Sequence, residues 1–488
     1  MNFNFKRSAP FLALLGLALG GCQPDLEDDP KSSAGQADFS RYIAVGNSLT
    51  AGYSDGGLYR EGQLSSYPAL LAQQFAQVGG GAFVQPLFPE ANANGSGYLR
   101  ITGFTAAGTP TIAPEANAAP GQFATGRAYV SATLPLLIRY TAADNQNLAV
   151  SGIRVADVTT PDYGRLTAGS NAGNFNPFFE RLLSGTAGTT YTQYVQERVT
   201  TIKPTFFTNW LGNNDVLGYA TSGGTTAPLT SVAEFTTKYT AVTEALTSGG
   251  AKGLLATIPN VVNIPYFTTV PTAAVIAQIN ATPIPTALEP TIKAALGLPQ
   301  TSPLPAGLRF GFYITTGTGA KRLATANDLL ILTAQSAINV PSTNPAQPFP
   351  SGVGLEIPGA PAATVTALAA SANALANSLV LDAAEVTSVQ TRTTELNNVI
   401  TTLAQSKGLA IFDSNTFFNN VARNGLAVNG VFNTAAFVSG NLFSLDGVHP
   451  TPRGYAVVTN EMIKAINATY GANVPGVDAT AYRGVKFP

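Results

Sequence analysis

Short apolar runs alternate with longer amphipathic stretches along this chain, and most of the runs close on glycine or small polar residues. The first is Tyr42-Ile43-Ala44-Val45-Gly46, followed by Asn47, Ser48 and Thr50. That order predicts a buried strand feeding a tight turn. Similar runs stand at 147–152, 204–211 and 251–258, with helical stretches at 67–76, 176–183, 191–201 and 231–247. After a long interruption the rhythm returns as a helix over 384–407, a strand over 409–412 and a terminal helix over 453–470. Strands alternating with helices predict βαβ units around a parallel sheet. An open α/β sheet exposes its reactive groups at the carboxyl ends of its strands, which is where Ser48 falls.

The interruption, 264–384, is rich in Ala, Thr and Pro. Its runs Leu308-Arg309-Phe310-Gly311-Phe312-Tyr313-Ile314 and Leu329-Leu330-Ile331-Leu332 are too apolar to leave in water, so it reads as an ordered insertion able to cap a site. A smaller insertion over 80–140 has a similar character. No internal repeat of fixed period is visible.

Composition removes several function classes. The 488 residues carry 26 Lys and Arg against 27 Asp and Glu, a net charge of −1 with only 11% charged residues, so there is no electrostatic footprint for nucleic acid. The hydrophobic fraction is 45%, yet no uninterrupted apolar stretch reaches the roughly 18 residues a spanning helix needs. One cysteine, Cys22, and one histidine, His449, exclude an internal disulfide and a multi-ligand Cys/His zinc site. Carboxylates are sparse and scattered, and no metal is expected. The cluster Gly79-Gly80-Gly81 lacks the residues of a phosphate or dinucleotide loop, so no nucleotide cofactor is expected either.

The N-terminus accounts for the cysteine. Lys6 and Arg7 precede the apolar run 9–19, and Leu19-Gly20-Gly21-Cys22 follows. This resembles the lipobox of bacterial lipoproteins, which implies removal of residues 1–21, lipidation of Cys22 and a membrane anchor. Residues 22–38, with Asp25, Glu27, Asp28 and Asp29, read as a flexible tether. Acidic residues behind the cysteine resemble the export signal of some surface lipoproteins. The expected location is the bacterial outer membrane, facing the periplasm or the cell surface.

Candidate chemistry sits in four places. Ser444-Leu445-Asp446-Gly447-Val448-His449-Pro450 places an aspartate three residues before the sole histidine, in a loop ahead of a helix. A carboxylate on one ring nitrogen fixes the tautomer, leaving the other nitrogen to take a proton from a hydroxyl. The blocks Gly46-Asn47-Ser48-Leu49, Gly152, Gly212-Asn213-Asn214-Asp215 and Asp446-Gly447-Val448-His449 then resemble, in order, those of the SGNH or GDSL esterase and lipase family. The resemblance covers about 40–260 and 385–470 and leaves the insertion unexplained.

That resemblance implies a three-layer α/β/α sandwich with a central, mostly parallel sheet carrying large insertions. The hydrolase domain would span 39–263 and 385–475, interrupted by 264–384 and followed by a tail, 476–488. It implies Ser48 as nucleophile, His449 as base and Asp446 as its partner. The oxyanion hole would comprise the amides of Ser48 and Gly152 and the side chain of Asn214. The sequence departs from the family at Asn47, where aspartate is usual, though an amide oxygen also accepts a hydrogen bond. Asp215, Arg154 and Trp210 either line the cleft or serve in packing and surface pairing. The expected activity is hydrolysis of an acyl or aryl ester through an acyl-enzyme. The alternatives are an O-acetylesterase acting on glycans, or a surface-binding lipoprotein on a hydrolase scaffold.

Overall fold

The computed structural model describes residues 32–488 except 107, 116–126, 132–133, 166–174, 184–187 and 345–346. The expected signal peptide, Cys22 and most of the tether therefore lie outside the described residues.

Four strands form the central sheet, all parallel: β1 (Tyr42–Gly46), β2 (Phe206–Trp210), β3 (Lys252–Ala256) and, far along the chain, Ala410–Phe412, in that spatial order. The run 147–152 is not a full ladder strand. It nevertheless runs parallel along the outer edge of β1, with Leu148 N–H donating to Ala44 O and Val150 N–H to Gly46 O. The order is thus the second extended segment, then the first, third, fourth and fifth. In this doubly wound arrangement the chain changes direction between the first and third segments.

Why these runs become buried strands is visible in their alternation. Ile43, Val45, Phe207 and Leu255 point into one core, whereas Tyr42, Ala44, Phe206, Leu254 and Ala256 point into the other. A strand covered on both faces has no use for a polar side, hence the continuous apolar runs.

Helices cover the two faces. On one lie α1 (Tyr67–Ala76) and, at the end of the chain, Pro452–Tyr470. On the other lie α2 (Tyr191–Ile202), α3 (Asn214–Thr221), α4 (Val232–Thr247) and the long helix Ala383–Ser406. Their starts are encoded locally. Thr190 with Gln193, and Asp382 with Glu385, form capping boxes, and Ser231 caps α4. The helix expected over 176–183 is only the single turn Pro177–Glu180, capped by Asn176 and held by the buried Phe179. So short a segment has too few hydrogen bonds to extend on propensity alone.

The segment 264–384 carries its own secondary structure. It opens with α5 (Pro265–Thr268) and α6 (Thr272–Ala281), and it contains an antiparallel sheet in which β4 (Arg309–Thr315) lies between β5 (Val353–Glu356) and Lys321–Leu323. Completing the numbering, the last strand of the parallel sheet, Ala410–Phe412, is β6, and the helices Ala383–Ser406 and Pro452–Tyr470 are α7 and α8. The smaller insertion includes a hairpin, Leu99–Phe104 with Pro110–Pro114. Residues after 476 pack back on the body, Val485 against Ile101 and Leu445, with Arg483 bridging to Glu61.

Phe207 is fully buried at the middle of the sheet, and a Cβ on Gly253 of the neighbouring strand would lie 2.6 Å from its ring. Phe207→Ala is expected to cost about 3–5 kcal/mol, read as a lowered midpoint in urea unfolding.

Candidate active site

The nucleophile candidate sits where β1 breaks. A Cβ on Gly46 would fall 1.9 Å from Thr50 Oγ1, so only glycine lets the chain fold back over itself there. Asn47 then caps the single turn Ser48–Ala51, its Oδ1 accepting from Leu49 N–H, and Gly52 closes the turn at φ +84°. An aspartate would make the same bond to Leu49, which is why asparagine is tolerated by this turn. Its Nδ2, by contrast, is buried with no partner among the described residues.

Asp446, Gly447, Val448 and His449 form a loop just before α8, whose N-terminus is capped by Thr451 with Pro452 in its first turn. His449 Nε2 lies 2.8 Å from Ser48 Oγ, and Nδ1 lies 2.7 Å from Asp446 Oδ2. The carboxylate is saturated. Its Oδ1 accepts from the backbone N–H of Val448 and His449 and from Ser444 Oγ, while its Oδ2 also accepts from Gly56 N–H. Burial pushes the Asp446 carboxyl up, but the facing imidazole and these donors outweigh it and bring it down to about 2. With an anion fixed against Nδ1, the ring proton resides there, and Nε2 presents a lone pair to the serine hydroxyl.

A second set of contacts ties this loop to the chain just after Ser48. Asp55, at φ +51°, donates its N–H to Ser444 Oγ and accepts from Leu445 N–H, and Ser54 Oγ donates to Pro450 O. Tyr53 stands against the imidazole at 4.6 Å between ring centres, tethered by its N–H to Ser48 O and by its hydroxyl to Gly56 O. Burial, with the Asp446 charge beside it, pushes its phenol up to about 12, so it stays neutral. Sequence reasoning missed Tyr53, Asp55 and Ser444. No periodicity marks them, and their partners lie almost 400 residues away.

The remaining candidates gather at the ends of neighbouring strands. Gly152 follows the segment beside β1, at φ +84°, a conformation that favours glycine, and its N–H has no acceptor among the described residues. The N–H of Ser48 is likewise free. Asn214 begins α3 just after β2. One hydrogen of its amide goes to Ile153 O at 3.0 Å, which leaves the second for another acceptor.

Of the three residues with open roles, Asp215 is a structural tie. Its carboxylate accepts from Val155 N–H, Ala156 N–H and Thr230 Oγ1, fastening the loop after Gly152 to α3. Burial drives its carboxyl up to about 6 despite those bonds. Arg154 is paired with Asp157, and Trp210 is fully buried with its Nε1 donating to Thr257 O. Among the described residues no group of three or more His, Cys, Asp or Glu is gathered to hold a cation.

The fold and site define an α/β protein with a serine, a histidine and an aspartate in hydrogen-bonded series at the carboxyl edge of a parallel sheet. No family model matches the sequence, and no curated protein does. Among solved structures the chain is similar to LAE5, an alpha/beta hydrolase enzyme from the metagenome of Lake Arreo, Spain. The identity is 13% and the TM-score 0.33, over 90% of this chain and 97% of that one.

Two outcomes test this geometry. A carboxyl lowered on folding contributes stability that is fully present above its unfolded value, near 4, and is lost as pH falls through its folded value of about 2. The stability gap between the protein and Asp446→Asn, measured by urea unfolding, is therefore expected to hold at neutral pH and to close between about pH 4 and about pH 2. Asp215→Ala releases the loop that carries Gly152. Stability in urea unfolding is expected to fall by about 1–3 kcal/mol, because the amides of Val155 and Ala156 and the Thr230 hydroxyl lose their buried acceptor.

Proposed function

We propose that this chain is a serine ester hydrolase of the SGNH or GDSL type. The observation that supports it most is the continuous series from Ser48 Oγ to His449 Nε2 at 2.8 Å and from His449 Nδ1 to Asp446 Oδ2 at 2.7 Å.

A serine hydroxyl is a poor nucleophile until a base removes its proton. In the proposed reaction Nε2 takes that proton as Ser48 Oγ attacks the ester carbonyl. Asp446 stabilises the imidazolium, and Nε2 returns the proton to the departing alkoxide. Water then repeats the sequence on the acyl-enzyme and releases the acid. The carbonyl oxygen becomes an oxyanion at each attack, and the free amides of Ser48 and Gly152 with the spare hydrogen of Asn214 are its proposed donors. A donor of this kind is worth about 100-fold to 1,000-fold in rate.

The substrate reading rests on the low charge of the chain and its apolar insertion, which favour an acyl or aryl ester. Anchoring through lipid on Cys22, at the outer membrane, rests on the sequence pattern before it.

The test is hydrolysis of p-nitrophenyl esters from acetate to palmitate, with acetylated xylan alongside. Ser48→Ala is expected to lose on the order of 10⁴-fold or more of turnover and all labelling by a fluorophosphonate. Activity rising with chain length makes it a lipase or esterase. Activity confined to acetate and acetylated xylan makes it a glycan O-acetylesterase. Absence of any serine adduct and of any turnover in the unaltered protein overturns the enzyme reading in favour of a binding scaffold.

A further inference from the structure

The segment 264–384 encloses a cavity of about 630 Å³, within the range of small-molecule sites. Its floor is apolar and buried: Val270, Ile279, Phe310 and Val353. Its rim carries Gln278, Gln335 and Asn339, exposed and neutral, and among the described residues no charged side chain lines it. One wall is α6, with the sequence Thr-Ala-Ala-Val-Ile-Ala-Gln-Ile-Asn-Ala. This helix is apolar almost all round, yet only Thr272 and Ile279 are buried. A helix of that composition ordinarily has more of its surface covered. An apolar floor under a neutral amide rim suits an amphiphile with one long alkyl chain, its chain on the floor and its head at the mouth. A charged or polyhydroxylated ligand would find no partners deeper in.

The cavity shares no lining residue with the blocks that carry Ser48, Gly152, Asn214 or His449. It does share two short elements with the catalytic loop. Tyr266 of α5 donates its N–H to Gly447 O at 2.9 Å, and the lining residues Thr269 and Val270 follow directly. Leu332 would lie 3.3 Å from a Cβ on Gly447, and Gln335 of the same 3₁₀ turn lines the cavity. Gly447, at φ +70°, stands between Asp446 and His449.

We propose that this cavity is a binding site for a single alkyl chain of fatty-acid type, separate from the ester being cleaved, and that its occupancy adjusts the Asp446–His449 loop through Tyr266 and Leu332. Binding needs no cleavage by Ser48, so it is measured in Ser48→Ala, where failure of the esterase reading cannot imitate failure of this one.

The probe is sodium palmitate, titrated by calorimetry into full-length Ser48→Ala. One saturable site is expected, weakened more than about tenfold by adding Ala274→Trp, which fills the mouth from α6. Near-UV circular dichroism confirms that the double variant is folded. If it is not, Gln278→Trp, at an exposed rim position, takes its place. In the protein with Ser48 intact, palmitate is expected to change kcat on p-nitrophenyl acetate. Ala274→Trp is expected to keep the basal kcat and lose the response. Absence of saturable binding, or an affinity left unchanged from Ser48→Ala by the mouth substitution, overturns the site. A palmitate response of kcat that survives Ala274→Trp overturns the coupling. Loss of palmitate binding once a hexadecyl phosphonate occupies Ser48 overturns the separateness, the cavity then being the continuation of the substrate's own acyl site.

Discussion

The carboxylate of Asp446 is the point on which the site depends. It accepts five hydrogen bonds, from its own loop, from Ser444, from the imidazole and from Gly56 in the loop after Ser48. An anion out of water survives only with such compensation. Here the compensation does a second thing. Because Gly56 belongs to the loop just after Ser48, the same carboxylate that orients His449 also ties the histidine's loop to the serine's. Asp55 and Ser444 repeat the tie a residue away. Ser48 and His449 are held by opposed loops that hydrogen-bond to one another.

The sheet order supplies the other constraint. At the point where the winding reverses, between β1 and β2, the chain leaves the carboxyl ends of neighbouring strands in different directions. Ser48 and Asn214 lie a few residues past β1 and β2, and Gly152 ends the extended segment beside β1. Asparagines at all three make the same local bond: the side chains of Asn47, Asn147 and Asn209 each accept from the N–H two residues on. Asp215 then fastens the loop after Gly152 to the start of α3.

Much of this was legible in the sequence where the signal is local. The strands at 42–46 and 206–210 announce themselves as apolar runs buried on both faces, and the capping boxes at Thr190 and Asp382 mark helix starts. A sole histidine three residues after an aspartate leaves little choice of base. The stretch at 176–183 misled, because its helical composition is spent on packing Phe179 rather than on length. The run at 147–152 has strand character but only intermittent pairing, since it lies on the open edge of β1. Tyr53 and Asp55 had no local mark, as their roles are defined by a loop that arrives from the far end of the chain. The insertion's apolar runs foretold that it folds, but not that its walls would leave a cavity open.

By itself, the sequence determined the alternation of strands and helices, the turns that break β1 and end its neighbours, and the identity of the groups able to act. These follow from period, capping and side-chain chemistry, which operate over a few residues. Only the tertiary structure decided that Ser48 and His449, 401 positions apart, stand 2.8 Å from one another. It likewise decided that the insertion touches the Asp446–His449 loop at Gly447. Such contacts are set by how whole layers pack, and no local pattern carries that information.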